Sequence, residues 1–322
     1  MDSLIAVVQR HVQPHWPAIK KWLILLMIAV VAVIVVRQAR TIAWRDVHSA
    51  LSSYQADTLL QGGLLGIAAY TLYASFDLIG IRYVGAHVAV PRTMAIAFVA
   101  YAINQSFGAL LGTVGMRLRL YGKLGLSPIA ISKLAALAVV TNWLGYLLVA
   151  GTMLTFQMIH LPDSWRVNRH ALQLLGIAML MLVVVYLAMC GFSRTRAITI
   201  RHESLALPHA KLAMLQALVS TPHWFAIAAI LYLLLQGRVS YTMVLGTFML
   251  TSISAVITRV PAGLGVIEAI FIAVLGGTMP GPQVLAALLA FRGIFYIGAL
   301  LLAGMVYVAL ESSGARVVAN DA

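Results

Sequence analysis

Hydrophobic residues in this chain come in long unbroken runs rather than at the two- or three-to-four-residue spacing of half-buried strands and helices. Eight such stretches stand out, approximately Lys21 to Val36, Thr58 to Gly80, Met94 to Leu111, Ile129 to Phe156, Leu172 to Phe192, Leu212 to Leu235, Tyr241 to Ile257 and Val284 to Leu310. Crossing about 30 Å of hydrocarbon takes roughly 20 helical residues, because a helix satisfies its own backbone hydrogen bonds. The shorter stretches reach that length only with flanking residues. A membrane β-barrel would need alternating segments of about ten residues, and a run such as "LLMIAVVAVIVV" does not alternate. The pattern therefore predicts an all-α integral membrane protein of about eight transmembrane helices.

Two places interrupt the pattern. Gly263 to Leu275 is apolar but too short to cross, and it is boxed in by Pro261, Gly276, Gly277, Pro280 and Pro282. "GALLGTVGMRLRLYGKLG", from Gly108 to Gly125, is rich in glycine just before a charge, as is "RVPAGLGVIEAIF" from Arg259 to Phe271. Broken or re-entrant segments are expected near 108–125 and 261–278. Transporters build polar sites at such breaks, where freed backbone groups and helix ends meet a substrate. Four full spans between the two motifs would leave them parallel, so an inverted repeat would require a break that changes the parity.

The chain reads as one polytopic membrane domain over 1–322. It has a cytoplasmic or interfacial N-terminus (1–20), an interfacial amphipathic helix (41–57), a helical bundle (58–310) and a short tail (311–322). In the second of these, Trp44, Val47, Leu51 and Tyr54 recur three to four residues apart with polar residues between them. That helix either caps the bundle as a connector or senses lipid. The first apolar run ends in Val35, Val36, Arg37 without a small-residue cleavage pattern, and is read as a retained span.

Composition agrees with a membrane setting: 62% of the 322 residues are hydrophobic and 10% charged, against about a quarter charged in soluble domains. The net charge of +13 falls mostly at span ends and in short loops, so anionic phospholipid headgroups are the expected counter-charge and nucleic acid is not an expected partner. Lys and Arg divide almost evenly between alternate loops, which leaves the orientation open. The longest loop, Ser193 to about Lys211, leaves no room for a soluble catalytic domain. The single cysteine, Cys190, excludes an intrachain disulfide and a cysteine metal site. No cofactor or metal is expected.

A charge in the bilayer centre costs roughly 2.5–3.5 kcal/mol even on insertion scales, so each one needs a reason. Asp77 lies near the end of the second span with Arg82 five residues on; it is either half of an interfacial ion pair or part of a site. Asn104 with Gln105, and Asn142 beside Trp143, either bond helices together or contact substrate. His223, beside Pro222 and Trp224 near a span's start, is either a structural polar group or a proton relay. Arg117 and Arg119 point in different directions on a helix, and Arg117, directly after the glycines, is the one expected to face inward. Glu268 is the lone carboxylate between Glu203 and Glu311; ionised, it needs Arg259 or Arg292 as its partner. Arg292 lies deep in the last span, and its planar fork suits carboxylate or phosphate.

The segments "GMRLRLYGKLGLS", "VPAGLGVIEA" and "LLAFRGIFY" resemble the transmembrane-region family of lysylphosphatidylglycerol synthases, and the resemblance runs from the first span to Glu311. In that family the membrane region is a flippase that moves aminoacylated phosphatidylglycerol between leaflets, and a separate C-terminal domain carries the aminoacyl transferase. That domain is expected to be absent here, so the lipid substrate does not carry over. The resemblance implies that Asp77, Arg117, Glu268 and Arg292 occupy the family's polar membrane positions. Ala262 stands where relatives often have a second glycine. The sequence thus predicts an inner-membrane phospholipid translocase, not an enzyme, with candidate headgroup contacts at Asp77, Asn104, Arg117, Asn142, Arg259, Glu268 and Arg292. With no P-loop, transport would be downhill, ion-coupled or driven by a partner. The alternative is an accessory or scaffold subunit for a lipid-synthesis enzyme.

Overall fold

The computed structural model describes residues 44–159, 168–192, 197–200, 203–258, 260 and 263–320. A short helix α1 (Trp44–Ser52) leads into α2 (Ala56–Tyr83) and α3 (Val90–Phe107). A π-helical segment (Leu110–Met116) then continues into α4 (Arg117–Gly122). Next come α5 (Pro128–Thr155), α6 (Arg169–Phe192), strands β1 (Ala197–Ile200) and β2 (Glu203–Ala206), and α7 (Ala210–Leu234). The chain closes with α8 (Tyr241–Thr258), α9 (Val266–Leu275), α10 (Gly281–Phe291), a second π-helical segment (Arg292–Gly298) and α11 (Ala299–Asn320).

Among the described residues six helical stretches are long and apolar enough to cross a membrane: α2, α5, α6, α7, α8, and the continuous run Gly281–Ser312 through α10 and α11. The fold is the expected helical membrane bundle. The expected span at Lys21 to Val36 lies outside the described residues. The stretch expected at Met94 to Leu111 is not one unbroken span: helix α3 stops at Phe107, because Gly108 adopts φ +91°, a conformation that suits glycine. The loop expected at Ser193 to Lys211 contains the antiparallel β1–β2 hairpin, with Ala197 opposite Ala206.

Small residues let the helices approach, as is usual where no hydrophobic force distinguishes neighbours from lipid. A Cβ on Gly145 of α5 would sit 2.6 Å from the Ser220 carbonyl oxygen of α7, and one on Gly176 of α6 would sit 2.5 Å from the Thr155 nitrogen. Helix α6 buries only Gly176, Met179 and Val183. Leu174, Leu182 and Val184 on its remaining faces are exposed, the outward belt that a lipid-facing helix needs. The centre is aromatic: Tyr73 stacks on Tyr101 with ring centroids 3.5 Å apart, and the Tyr70 hydroxyl donates to the Phe295 carbonyl within the second π-helical segment at 2.9 Å.

Contacts at the two ends of the bundle fix the path of the chain. At the end where α2 starts, the Tyr54 hydroxyl donates to the Leu234 carbonyl at the end of α7 (2.5 Å), and Arg238 bonds Gln283 at the start of α10. At the opposite end, where α2 finishes, Arg119 and Lys123 hold Glu311 of α11 at 2.9 and 2.5 Å. The segment from Val90 to Gly122 therefore enters and leaves by the second end, and the segment from Tyr241 to Leu275 enters and leaves by the first. Both are re-entrant hairpins. Helix α8 is long enough to cross, yet the chain comes back through α9, whose ten residues rise only about 15 Å.

Candidate functional site

The first charged residue in the returning leg of each hairpin, Arg117 or Glu268, meets its opposite on a spanning helix. In the first hairpin the close fold-back places Arg117 beside Asp77 of α2. The carboxylate Oδ1 accepts from Arg117 Nη2 at 2.7 Å and from Nε at 3.2 Å, and Oδ2 accepts from Nε at 3.0 Å and from the Tyr121 hydroxyl at 2.9 Å. The remaining fork nitrogen, Nη1, donates to the Thr113 carbonyl at 3.1 Å. Thr113 lies in the π-helical segment, whose wider turns shift the backbone ladder and leave that carbonyl room for a guanidinium. Both side chains of the pair are 0% exposed. A pair this deep survives only because nearly every donor and acceptor is matched.

In the second hairpin Glu268 is the third residue of α9, three positions after Gly265 (φ +79°). Its Oε2 accepts the Gly265 N–H at 2.8 Å, capping the helix, and its Oε1 accepts from Arg292 Nε at 2.7 Å. Arg292 is the first residue of the π-helical segment in the last span. Its Nη2 reaches the Gly263 carbonyl at 3.4 Å and its guanidinium carbon lies 5.5 Å from the Tyr296 ring centre. This pair is not sealed: 12% of the Arg292 side chain and 13% of Glu268 stay exposed. By helical rise the two residues sit about 12–16 Å in from the first end of the bundle.

The other sequence candidates fall elsewhere. Asn104 lies in α3 where Gly112 packs onto its backbone, and its carbonyl accepts the Gly108 N–H at 2.8 Å. The backbone carbonyl of Asn142, in α5, accepts the Trp224 indole N–H at 3.2 Å. Arg259 lies outside the described residues. Arg82, weighed as a neighbour for Asp77, is exposed, and Asp77 turns to Arg117 instead. Arg119 points away from Arg117, with 57% of its side chain exposed beside Glu311.

His223 is not near a span's start but in the middle of α7, fully buried. Its Nδ1 is 2.9 Å from the Ala69 carbonyl, an acceptor only, so Nδ1 carries the proton, and Nε2 accepts from the Tyr101 hydroxyl at 3.1 Å. Both ring nitrogens are thus used by a neutral imidazole. Gln216 is a further polar bridge: its Oε1 accepts from Tyr186 and its Nε2 donates to Thr141 Oγ1, both at 2.7 Å, joining α5, α6 and α7. A cavity of about 410 Å³ opens at the first end between α1, α7 and α10, lined by Ser49, Tyr54, Leu235, Arg238 and Gln283 among others. It contains none of the expected site residues. Burial pushes the Tyr54 phenol up to about 12 against the lowering pull of Arg238, so Tyr54 stays a neutral donor to Leu234.

A spanning bundle with re-entrant hairpins and intramembrane carboxylate–guanidinium pairs defines a polytopic membrane protein with a polar interior. The chain is 39% identical over 310 residues to the inner membrane protein YbhN of Escherichia coli K12, covering 96% of this chain and 97% of that protein. The chain belongs to the YbhN family and is an inner-membrane protein. It is also 27% identical over 256 residues to the protein slr0712 of Synechocystis sp., covering 79% of each. To the phosphatidylglycerol lysyltransferase of Staphylococcus haemolyticus it is 24% identical over 277 residues, which is 84% of this chain and 31% of that protein. No protein-family model matches the chain.

Proposed function

We propose that the protein is a phospholipid translocase that binds a lipid headgroup at the Glu268–Arg292 pair while the acyl chains stay in the bilayer. The observation that carries this reading is the partial exposure of an ion pair deep in an apolar bundle. A pair that only joins helices gains by being closed. A partly open one leaves an edge of the planar guanidinium accessible, where a phosphate can compete for its donors, and Glu268 can receive a cationic group of the same headgroup. The glycine-broken hairpin beside it supplies backbone groups that replace headgroup hydration. The distant likeness to a phosphatidylglycerol lysyltransferase supports a phospholipid as the substrate class.

The second reading, an accessory subunit that scaffolds a lipid-synthesis enzyme, draws on the same likeness. The two separate in a lipid census of the protein extracted into native nanodiscs. Translocase binding predicts one headgroup class enriched around the protein and lost in Arg292→Ala. A headgroup profile identical in the two, with a co-purifying enzyme lost in the variant, would replace the translocase by the scaffold.

A further inference from the structure

The two halves of the bundle share one numerical frame. Helix α2 ends at Tyr83 and α7 at Leu234; α3 spans Val90–Phe107 and α8 spans Tyr241–Thr258. Each of these positions is followed by its counterpart 151 residues later. The same offset carries Arg117 onto Glu268, the first charged residue of each returning leg. It also relates two fold-back approaches of unequal closeness: a Cβ on Gly112 would lie 2.1 Å from the Asn104 backbone nitrogen, and one on Gly263 would lie 3.3 Å from the Ala255 side chain, beyond the Ile267 side chain at 3.0 Å. Gly112 maps to Gly263 and Asn104 to Ala255, so the glycine that lets each hairpin fold back on its first leg sits at the same place in both.

Between the two hairpins the chain crosses the bundle three times, through α5, α6 and α7. An odd number of crossings turns the second copy over. That agrees with the hairpins entering from opposite ends, as the Glu311 contacts at one end and the Tyr54–Leu234 contact at the other require. The shared offset relates the returning-leg charges Arg117 and Glu268 but not their partners: Asp77 of α2 maps onto Ala228 of α7, and Arg292 lies beyond the second copy. Asp77–Arg117 is fully closed, and Glu268–Arg292 is partly open.

We infer that residues 56–122 and 210–275 are inverted copies of one unit, and that Asp77–Arg117 is a second site for the same phosphate-bearing headgroup. It is shut in this structure and opens toward the opposite leaflet when Glu268–Arg292 shuts. This rests on the translocase reading for its ligand, but not for its architecture. The Tyr121 hydroxyl on Asp77 is the latch of the closed site, since it holds the carboxylate against the guanidinium without carrying charge.

The test uses single cysteines in a Cys190→Ser background and a membrane-impermeant maleimide applied to vesicles of both orientations. The positions are His87 and Gly122 at the base of the first hairpin, and Ser240 and Gly277 at the base of the second. All four are exposed, and an added side chain at Gly122 or Gly277 meets nothing within 4 Å. His87→Cys and Gly122→Cys are expected to label from one side and Ser240→Cys and Gly277→Cys from the other. Labelling of all four from one side, or a split within either pair, overturns the inverted duplication. Because no lipid movement enters this readout, it stands or falls separately from the translocase reading. The second site is read with Thr113→Cys, buried beside Arg117. Combining it with Tyr121→Phe is expected to raise its labelling rate from the His87 side about tenfold, the order expected for loss of one hydrogen bond to a charged group. An unchanged rate, with the base positions still labelled as before, overturns the second site.

Discussion

Arg292 Nε lies 2.7 Å from Glu268 Oε1, and the other oxygen of that carboxylate caps the helix that carries it, accepting the Gly265 N–H at 2.8 Å. One side chain therefore holds both a helix start and a partly exposed cation. Glu268→Gln keeps an acceptor for the Gly265 N–H and removes the charge, whereas Glu268→Ala removes both. The alanine variant is expected to lose about 1 kcal/mol more stability than the glutamine variant, the worth of one capping interaction. Denaturant unfolding in detergent measures it, and equal stability of the two variants would show that the cap contributes nothing.

The closed pair behaves differently because neither partner has access to water. Removing one member strands a buried charge, which costs about 3–5 kcal/mol, while replacing both with apolar groups of similar volume is close to neutral. Asp77→Leu and Arg117→Met should each lower stability by that order, and the double variant should recover most of the loss. A double variant as unstable as the sum of the singles would mean the two residues are not coupled.

Close backbone approach sets a steric prediction. Gly112 leaves 2.1 Å for a Cβ against Asn104, and Gly176 leaves 2.5 Å against Thr155, whereas Gly277 faces open space. Alanine at 112 or 176 is expected to destabilise the protein by about 1–3 kcal/mol, the usual cost of overpacking, and alanine at 277 to leave its melting temperature unchanged. Thermal unfolding of the three variants checks the ranking.

Much of this architecture was legible in the residues. Uninterrupted apolar runs fixed the helical bundle, and the glycine and proline clusters before Arg117 and after Arg259 marked both hairpins. Local signals stop short of partnership, however. Arg82 is five residues from Asp77 and Arg117 is forty, yet the fold-back of Gly112 onto Asn104 brings the distant arginine to the carboxylate and leaves the near one outside. The stretch from Met94 to Leu111 looked like one span because periodicity does not reveal that Gly108 turns to φ +91°. His223 seemed peripheral because Pro222 beside it suggested a helix start, but Pro222 is accommodated inside α7. The β1–β2 hairpin, with four residues per strand, is too short to produce a periodic signal. The four spans expected between the two glycine-rich motifs become three crossings because α8 is the first leg of a hairpin, which is the change of parity that an inverted repeat requires.

The central claim is that a headgroup passes through the charged interior, and leaflet exchange measures it most directly. Proteoliposomes carrying phospholipids labelled on the headgroup-proximal chain are quenched from outside by a membrane-impermeant reductant, and the protected fraction reports exchange. The wild-type protein should expose more than the half of the label that lies in the outer leaflet for at least one headgroup class. Arg292→Ala and Glu268→Gln, folded by the criteria above, should fall to the protein-free level. Exchange at the wild-type rate in both variants would contradict the account.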